Sequence, residues 1–445
     1  MEIRFFNSMT NSIEPFVPLR EKEVSMYVCG PTVYDLVHIG NMRPVVVFDV
    51  LRRFLEYMGY HVTYVSNYTD VDDRIIAKAQ KTGKSEKEIT DGYIREFEKD
   101  VHDIHSRLPN YRPRVTECMP EIIAFIDDLI QKGAAYVVDD DVYFRVESDP
   151  HYGELSNTDT EHLMVGARID ENVKKENPLD FTLWKKTDVG VRWASPWSEG
   201  RPGWHTECVV MIRSLFPQGK IDIHGGGFDL KFPHHENEIA QSQACEHHSI
   251  ARYWMHNGFI NINSEKMSKS LGNVITAHDA LAHYGGNTVR LLLLSTHYRS
   301  PVNFADEMLQ NNAKEVQKMQ MSYRQMGVKL QLDHVDLTVK QDLDLDAFLS
   351  ALADDLNTSN ALSEVYRLIK EGNTLLRTRD IDHDRLLKVY QTLKTMFDIL
   401  GLEMQCPILT EEDRKLYQDY LDAKTEKNFE KSDLIRQELM NKGIL

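Results

Sequence analysis

Three groups of residues in this chain are of types and spacings that do chemistry. The first is His38-Ile39-Gly40-Asn41, in a loop between a short apolar run, Val24 to Val28, and an amphipathic stretch. A strand-to-helix loop turns backbone N–H groups and the positive end of the helix dipole toward whatever lies above the strand, which suits a phosphate. Gly40 lets the backbone come close, His38 can donate to a phosphate oxygen, and Asn41 can cap the helix or touch a nucleotide. The second group is Lys266-Met267-Ser268-Lys269-Ser270, closed by Gly272-Asn273. Two flexible ammonium groups three residues apart on a polar loop can follow a pyrophosphate as charge builds on it. Either run alone is ordinary surface sequence. Both in one chain, about 225 residues apart, point to nucleotide chemistry.

The third group is scattered: Cys29 at a strand end, Cys208 after Gly203-Trp204-His205, and His234 with Glu238. Two thiolates, an imidazole and a carboxylate make an acceptable zinc set. Positions 234 and 238 are four apart and share a helix face, although His235 or Glu236 satisfies the spacing too. Cys118, Cys245 and Cys406 have no such partners and read as packing residues.

These residues need elements to hold them. Val45, Phe48, Leu51, Leu55 and Met58 recur at spacings of three and four, so Asn41 to Met58 reads as a helix stopped by Gly59. Val24 to Val28 before it and His61 to Ser66 after it read as strands. Strand, helix and strand make one βαβ unit, hence a parallel sheet with ligands at the carboxyl ends of its strands. Residues 72 to 135 look mostly helical, with one helix from Pro120 to Lys132, and Ala135 to Val146 reads as a hairpin around an acidic turn. Polar, proline-containing sequence then runs to about residue 203, so 135–200 is expected to be an insertion. Ile221 to His224 resembles another buried strand, and Gly225 to Gly227 after it allow close approach to a nucleotide or form a turn. Beyond residue 300, Phe348, Leu352 and Leu356 repeat every four residues, and Leu386, Tyr390, Leu393, Phe397 and Leu400 alternate by four and three. That is the seam of a helix bundle.

Composition narrows the classes. At 445 residues with 42% hydrophobic and 27% charged residues, the chain is expected to fold into several domains with a sizeable core. A net charge of −17 argues against a nonspecific polyanion binder, so any nucleic-acid contact must be local. The longest aliphatic runs, around Val45 to Phe48 and Leu291 to Leu294, are far too short to cross a bilayer. The first twenty residues lack a secretory apolar core, so a cytoplasmic protein is expected. Five cysteines without a C-x-x-C pair argue against a disulfide framework.

The two nucleotide runs match the HIGH and KMSKS signatures, and the chain resembles the class I aminoacyl-tRNA synthetases. Met26 to Asp35, Asn67 to Asp73, Gly203 to Cys208, Asp222 to Gly227 and Phe232 to Ala240 narrow the resemblance to the cysteinyl-tRNA synthetase family, through essentially the whole length. The resemblance implies an α/β protein, with a Rossmann-type parallel-sheet catalytic domain carrying an insertion, followed by a helical-bundle tRNA-binding region. Its expected segments are 1–134 with 201–300 (catalytic), 135–200 (insertion), 301–405 (bundle) and 406–445 (a small, truncated anticodon-binding module). It selects Cys29, Cys208, His234 and Glu238 as ligands of one Zn2+, which would discriminate cysteine from serine through sulfur, without an editing domain. Four protein ligands usually close a zinc site, so substrate sulfur would need a fifth position or a weakly held Glu238. Thr69, Trp204 and His224 carry over as substrate-pocket residues. ATP with Mg2+ would be held by His38, Gly40 and Asn41, and met by Lys266 and Lys269, as L-cysteine becomes the adenylate and passes to tRNA(Cys). A monomer is implied, with Lys314, Lys318, Arg324, Arg367, Lys370, Arg377 and Arg379 as a local basic track for tRNA.

Overall fold

A computed structural model describes residues 1–157, 175–216, 218–262, 265–266 and 274–445. The chain divides into two compact units, one of Glu2–His283 with Tyr298–Asn303, the other of Tyr284–His297 with Phe304–Leu445 and Met1.

In the first unit a hairpin, β1 (Arg4–Asn7) and β2 (Ser12–Pro15), leads into β3 (Glu23–Val28), α1 (Ile39–Tyr57) and β4 (His61–Val65). β3 and β4 pair in parallel, with Glu23 opposite His61 and Tyr27 opposite Val65, which is the βαβ unit expected from the apolar periodicity. α1 forms because Val46, Val47, Phe48, Val50, Leu51, Phe54 and Leu55 gather on the face it buries. Three helices follow, α2 (Asp73–Thr82), α3 (Glu86–Asp103) and α4 (Met119–Gln131). Ser85 and Glu88 close a reciprocal capping box at the start of α3.

An antiparallel sheet follows, of β5 (Ala135–Val138), β6 (Asp141–Phe144), β7 (Phe181–Lys186), β8 (Trp193–Ala194) and β9 (Glu199–Pro202), in the order β5-β6-β7-β9-β8. The chain then returns through α5 (Glu207–Leu215), β10 (Ile221–Gly227), a wide helical turn at Lys231–His235, α6 (Glu236–Glu246) and β11 (Ala251–Asn257). β10 enters between β11 and β3, giving a parallel sheet of order β11-β10-β3-β4. The three glycines lie within β10 rather than in a turn after it. A Cβ on Gly225 would come 2.1 Å from Cζ of Phe48, so this glycine serves the packing of α1 on the sheet. The unit ends with β12 (Ile260–Ile262), β13 (Glu265–Lys266), α7 (Ala277–Tyr284) and β14 (Val302–Asn303), β12 pairing antiparallel with β13 and parallel with β14.

The second unit is helical: α8 (Gly286–Leu294), α9 (Asp306–Leu332), α10 (Asp346–Ala353), α11 (Thr358–Leu375), α12 (His383–Leu400), α13 (Glu411–Thr425) and α14 (Phe429–Asn441). Leu386, Leu393, Phe397 and Leu400 are buried along α12, and Tyr390 stacks on Tyr323 with ring centres 4.6 Å apart. Leu356 falls past the end of α10 at φ 49°, so the four-residue repeat of the sequence outruns its helix. The last two helices close on a small core of Leu409, Leu439 and Ile444. Among the described residues no helix is long and apolar enough to cross a membrane.

Candidate active site

The carboxyl ends of β3 and β10 face a cavity of about 510 Å³ lined by Cys29, His38, Gly40, Asn41, Trp204 and Gly227, among others. His38 is the last extended residue before α1 (φ −81°, ψ 159°), and Gly40 and Asn41 are the second and third residues of the helix. Asn41 therefore lies inside the first turn and does not cap it. The Ile39 N–H donates to Ile275 O and the Asn41 N–H to His38 O, both at 2.9 Å, so two of the first three helical amides are already engaged. What this loop turns to the cavity is the helix dipole with the residues His38, Gly40 and Asn41. Lys266 pairs through its backbone with Asn261. Its side chain and all of Lys269 lie outside the described residues.

Beneath the cavity Cys29, Cys208, His234 and Glu238 converge, one ligand atom of each lying within 4.8 Å of all the others. Cys29 is the first residue past β3, Cys208 the second of α5, His234 lies in the wide turn, and Glu238 is the third residue of α6. The Sγ atoms are 3.7 Å apart, Cys208 Sγ is 3.7 Å from His234 Nε2, Cys29 Sγ is 3.7 Å from Glu238 Oε1, and His234 Nε2 is 2.9 Å from Glu238 Oε1. With zinc–sulfur bonds of about 2.3 Å, a tetrahedron has a sulfur–sulfur edge of about 3.8 Å. The two sulfur atoms thus match an edge of a tetrahedral zinc ion, and all four donor types are ones that zinc takes.

Electrostatics agree with a site made for a cation. The Cys29 thiol and then His234 act on the Cys208 thiol to hold it down at about 6, while burial and then Cys208 push Cys29 well up. Burial opposes charge on His234, yet Glu238 and Cys208 raise it to about 10. Burial likewise opposes ionisation of Glu238, and the His224 and His234 imidazoles overcome it, holding the carboxyl well below its usual range. Glu238 also accepts on Oε2 from His224 Nε2 at 2.6 Å. A second arrangement, Cys29, His224, His235 and Glu238, meets the same spacing. It reuses two members of the first group and takes His224 away from its bond to Glu238.

Trp204 lines the cavity and stacks on His234 at 4.2 Å. Thr69 and His224 lie below it, both buried: Thr69 donates to Glu207 Oε2 at 2.7 Å, and His224 stacks on Trp254 at 4.6 Å. Glu236 turns away to accept from the Leu155 and Ser156 amides. The cluster extends beyond the four selected ligands. His235 Nε2 lies 3.3 Å from Cys29 Sγ, its Nδ1 is 2.8 Å from His256, and His256 meets Ser8 at 2.8 Å. His205 bonds His234 at 3.0 Å. Burial pushes His205 and His256 down to about 3, so these rings are neutral orienters of the residues they touch. Asn67 accepts from the Gly30 N–H at 2.9 Å and lies 3.9 Å from Cys208 Sγ. His205, His235 and Asn67 lie inside the motifs that carry the resemblance, and His235 satisfies the ligand spacing as well; His256, which sequence reasoning missed, carries no local signal.

Known proteins resemble the chain throughout. A family model described as tRNA synthetases class I (C) catalytic domain matches residues 15–314, and a DALR domain model matches residues 347–405. Curated proteins named cysteine–tRNA ligase from Bacillus cereus and Bacillus thuringiensis are 45% identical over 100% of this chain and 97% of their own. Among solved structures, Mycobacterium tuberculosis methionyl-tRNA synthetase in complex with methionyl-adenylate superposes with a TM-score of 0.61 at 13% identity, covering 85% of this chain and 89% of that one. A putative arginyl-tRNA synthetase from Campylobacter jejuni gives 0.57 at 14% identity over 86% and 93%. At such identities the structural likeness speaks for the fold alone.

Proposed function

The chain belongs to the class I aminoacyl-tRNA synthetases, in the family of the cysteine–tRNA ligases, and on that footing we propose that its cavity activates L-cysteine with ATP and passes it to tRNA(Cys). The observation that carries the reading is the convergence of Cys29, Cys208, His234 and Glu238, the last three buried, beneath a cavity whose rim includes the His38 loop. That set would hold one Zn2+, which when bound supplies a soft Lewis acid that prefers a thiolate to a hydroxyl. Distinguishing cysteine from serine by pocket shape alone is a small energetic difference, so a soft-ligand contact is the efficient solution.

The remaining work falls to this chain's side chains. Trp204, stacked on His234, walls the cavity, and the His224 bond to Glu238 fixes one carboxylate oxygen while the other faces Cys29 and His234. His38, Gly40 and Asn41 hold the triphosphate of ATP, accompanied by Mg2+, at the positive end of α1. The cysteine carboxylate attacks the α-phosphorus and diphosphate leaves, its growing charge met by Lys266 and Lys269. A terminal ribose hydroxyl of tRNA then takes the cysteinyl group and AMP leaves. Positioning and charge stabilisation suffice, and no side-chain nucleophile is required. The proposal includes a cytoplasmic monomer, and the four-segment division expected from the sequence, with the helical segments contacting tRNA.

The test is cysteine-dependent ATP–pyrophosphate exchange by the full chain. Exchange with cysteine but not serine, lost on chelation and restored by Zn2+, is the expected result, followed by charging of bulk tRNA. A metal-free chain that still prefers cysteine would sink the zinc-based selection.

A further inference from the structure

Asp100 breaks several local rules at once. It lies in the last turn of α3, where the negative end of the helix dipole disfavours a carboxylate. It is 1% exposed, and neither carboxylate oxygen has a hydrogen-bond partner among the described residues. On its own helix Asp103 and Glu96 add to the negative field and Lys99 offsets it; burial pushes its carboxyl up to about 6. It faces His278, whose Nδ1 lies 3.6 Å from Oδ1. An apolar side chain would fill this place at lower cost, and buried polar groups without partners call for an explanation beyond packing.

The location supplies one. His278 is the second residue of α7, which begins just after the Lys266–Ser270 signature. The stretch leading into α7 is bonded to the other signature: Ala277 N–H donates to Val37 O and Ile39 N–H to Ile275 O, each at 2.9 Å, and His38 bridges Thr276. Thr276 accepts from the Asp279 N–H at 3.0 Å and so starts the helix. We propose that Asp100 is a positioning residue for the nucleotide half of the reaction: through His278 it fixes the first turn of α7, and with it the strand-like stretch 275–277 against which the His38 loop is set. The metal cluster is built from other elements, so the fastening bears on ATP and not on cysteine.

This inference rests on the proposed adenylation, and both are read in the same exchange assay on the full, zinc-loaded chain. Asp100→Asn and His278→Asn each raise the KM for ATP by about tenfold while the KM for cysteine stays within about twofold. The double variant is no worse than either single one, as for two groups acting as a pair. His278→Arg, which places a permanent cation facing Asp100, restores the ATP KM. Unchanged kinetics in the singles, equal losses toward ATP and cysteine, additive singles, or no rescue by arginine would each overturn the fastening. A wild-type chain without cysteine-dependent exchange would overturn the functional reading instead.

Discussion

Three of the four metal-set residues, Glu238, His234 and Cys208, have a further partner outside the set. Glu238 is shared between His234 and His224, His234 is stacked on Trp204 and bonded to His205, and Cys208 lies near Asn67, which in turn holds the Gly30 amide. Orientation of this kind is what lets scattered ligands meet a metal without rearrangement. Removing one thiol should therefore be more damaging than its count among four donors suggests. We expect Cys208→Ala to lower bound zinc from about one per chain to below about a tenth, because soft thiolate donors dominate affinity. Elemental analysis of the dialysed protein checks this, and a variant that keeps its full zinc content would move the site to the Cys29, His224, His235 and Glu238 arrangement.

Among the elements, β10 carries the most consequence. It lies between β11 and β3 in the parallel sheet, contributes His224, and brings Gly225 beneath Phe48 of α1, the helix whose start lines the cavity. Phe48 is fully buried and cannot give way to a methyl group. Gly225→Ala is expected to lower stability by about 1–3 kcal/mol, the usual cost of forcing an extra carbon into a packed core. It should also weaken ATP binding by lifting α1 from the sheet. Thermal unfolding and the KM for ATP are the measurements, and a variant as stable as the parent would show that the helix is free to shift. Of the two readings of Gly225 to Gly227, a turn is excluded because all three lie in β10, and Gly227 alone of them lines the cavity. Successive residues of a strand face opposite sides, so neighbours in sequence meet different partners: Phe48 at Gly225, Leu230 and His235 at Gly226.

For the molecule as a whole the governing quantity is its charge. A net charge of −17 repels RNA at long range, so tRNA must be held by a limited cationic surface working against the rest of the protein. Some of the sequence's candidates are already committed: Arg367 pairs with Glu364 at 2.7 Å and Lys318 with Glu315 at 2.7 Å. Charging should then be steeply salt-sensitive while adenylation is not. We expect log kcat/KM for tRNA to fall against log salt with a slope on the order of −3, as for a few phosphate contacts, and cysteine-dependent exchange to stay nearly flat. Parallel slopes for the two reactions would remove the local-contact account.

The sequence by itself determined the βαβ unit, the helical carboxyl region and the residue types of the site, because apolar period and loop chemistry are local properties. Leu51 and Leu55 are buried where their spacing places them, and Cys29 follows its strand. It left His235 and Glu236 as rivals to the selected ligands, since spacing does not fix how a helix is rotated about its axis. Tertiary packing separates only part of that: α6 lies so that Glu238 meets the Cys29 thiol while Glu236 turns to the Leu155 and Ser156 amides, and His235 reaches both Cys29 and His256. Nor does any short-range pattern mark Asp100 for His278, two residues 178 positions apart on different helices. Side chains far apart in sequence are brought together by the burial of faces, and the chemistry follows from that.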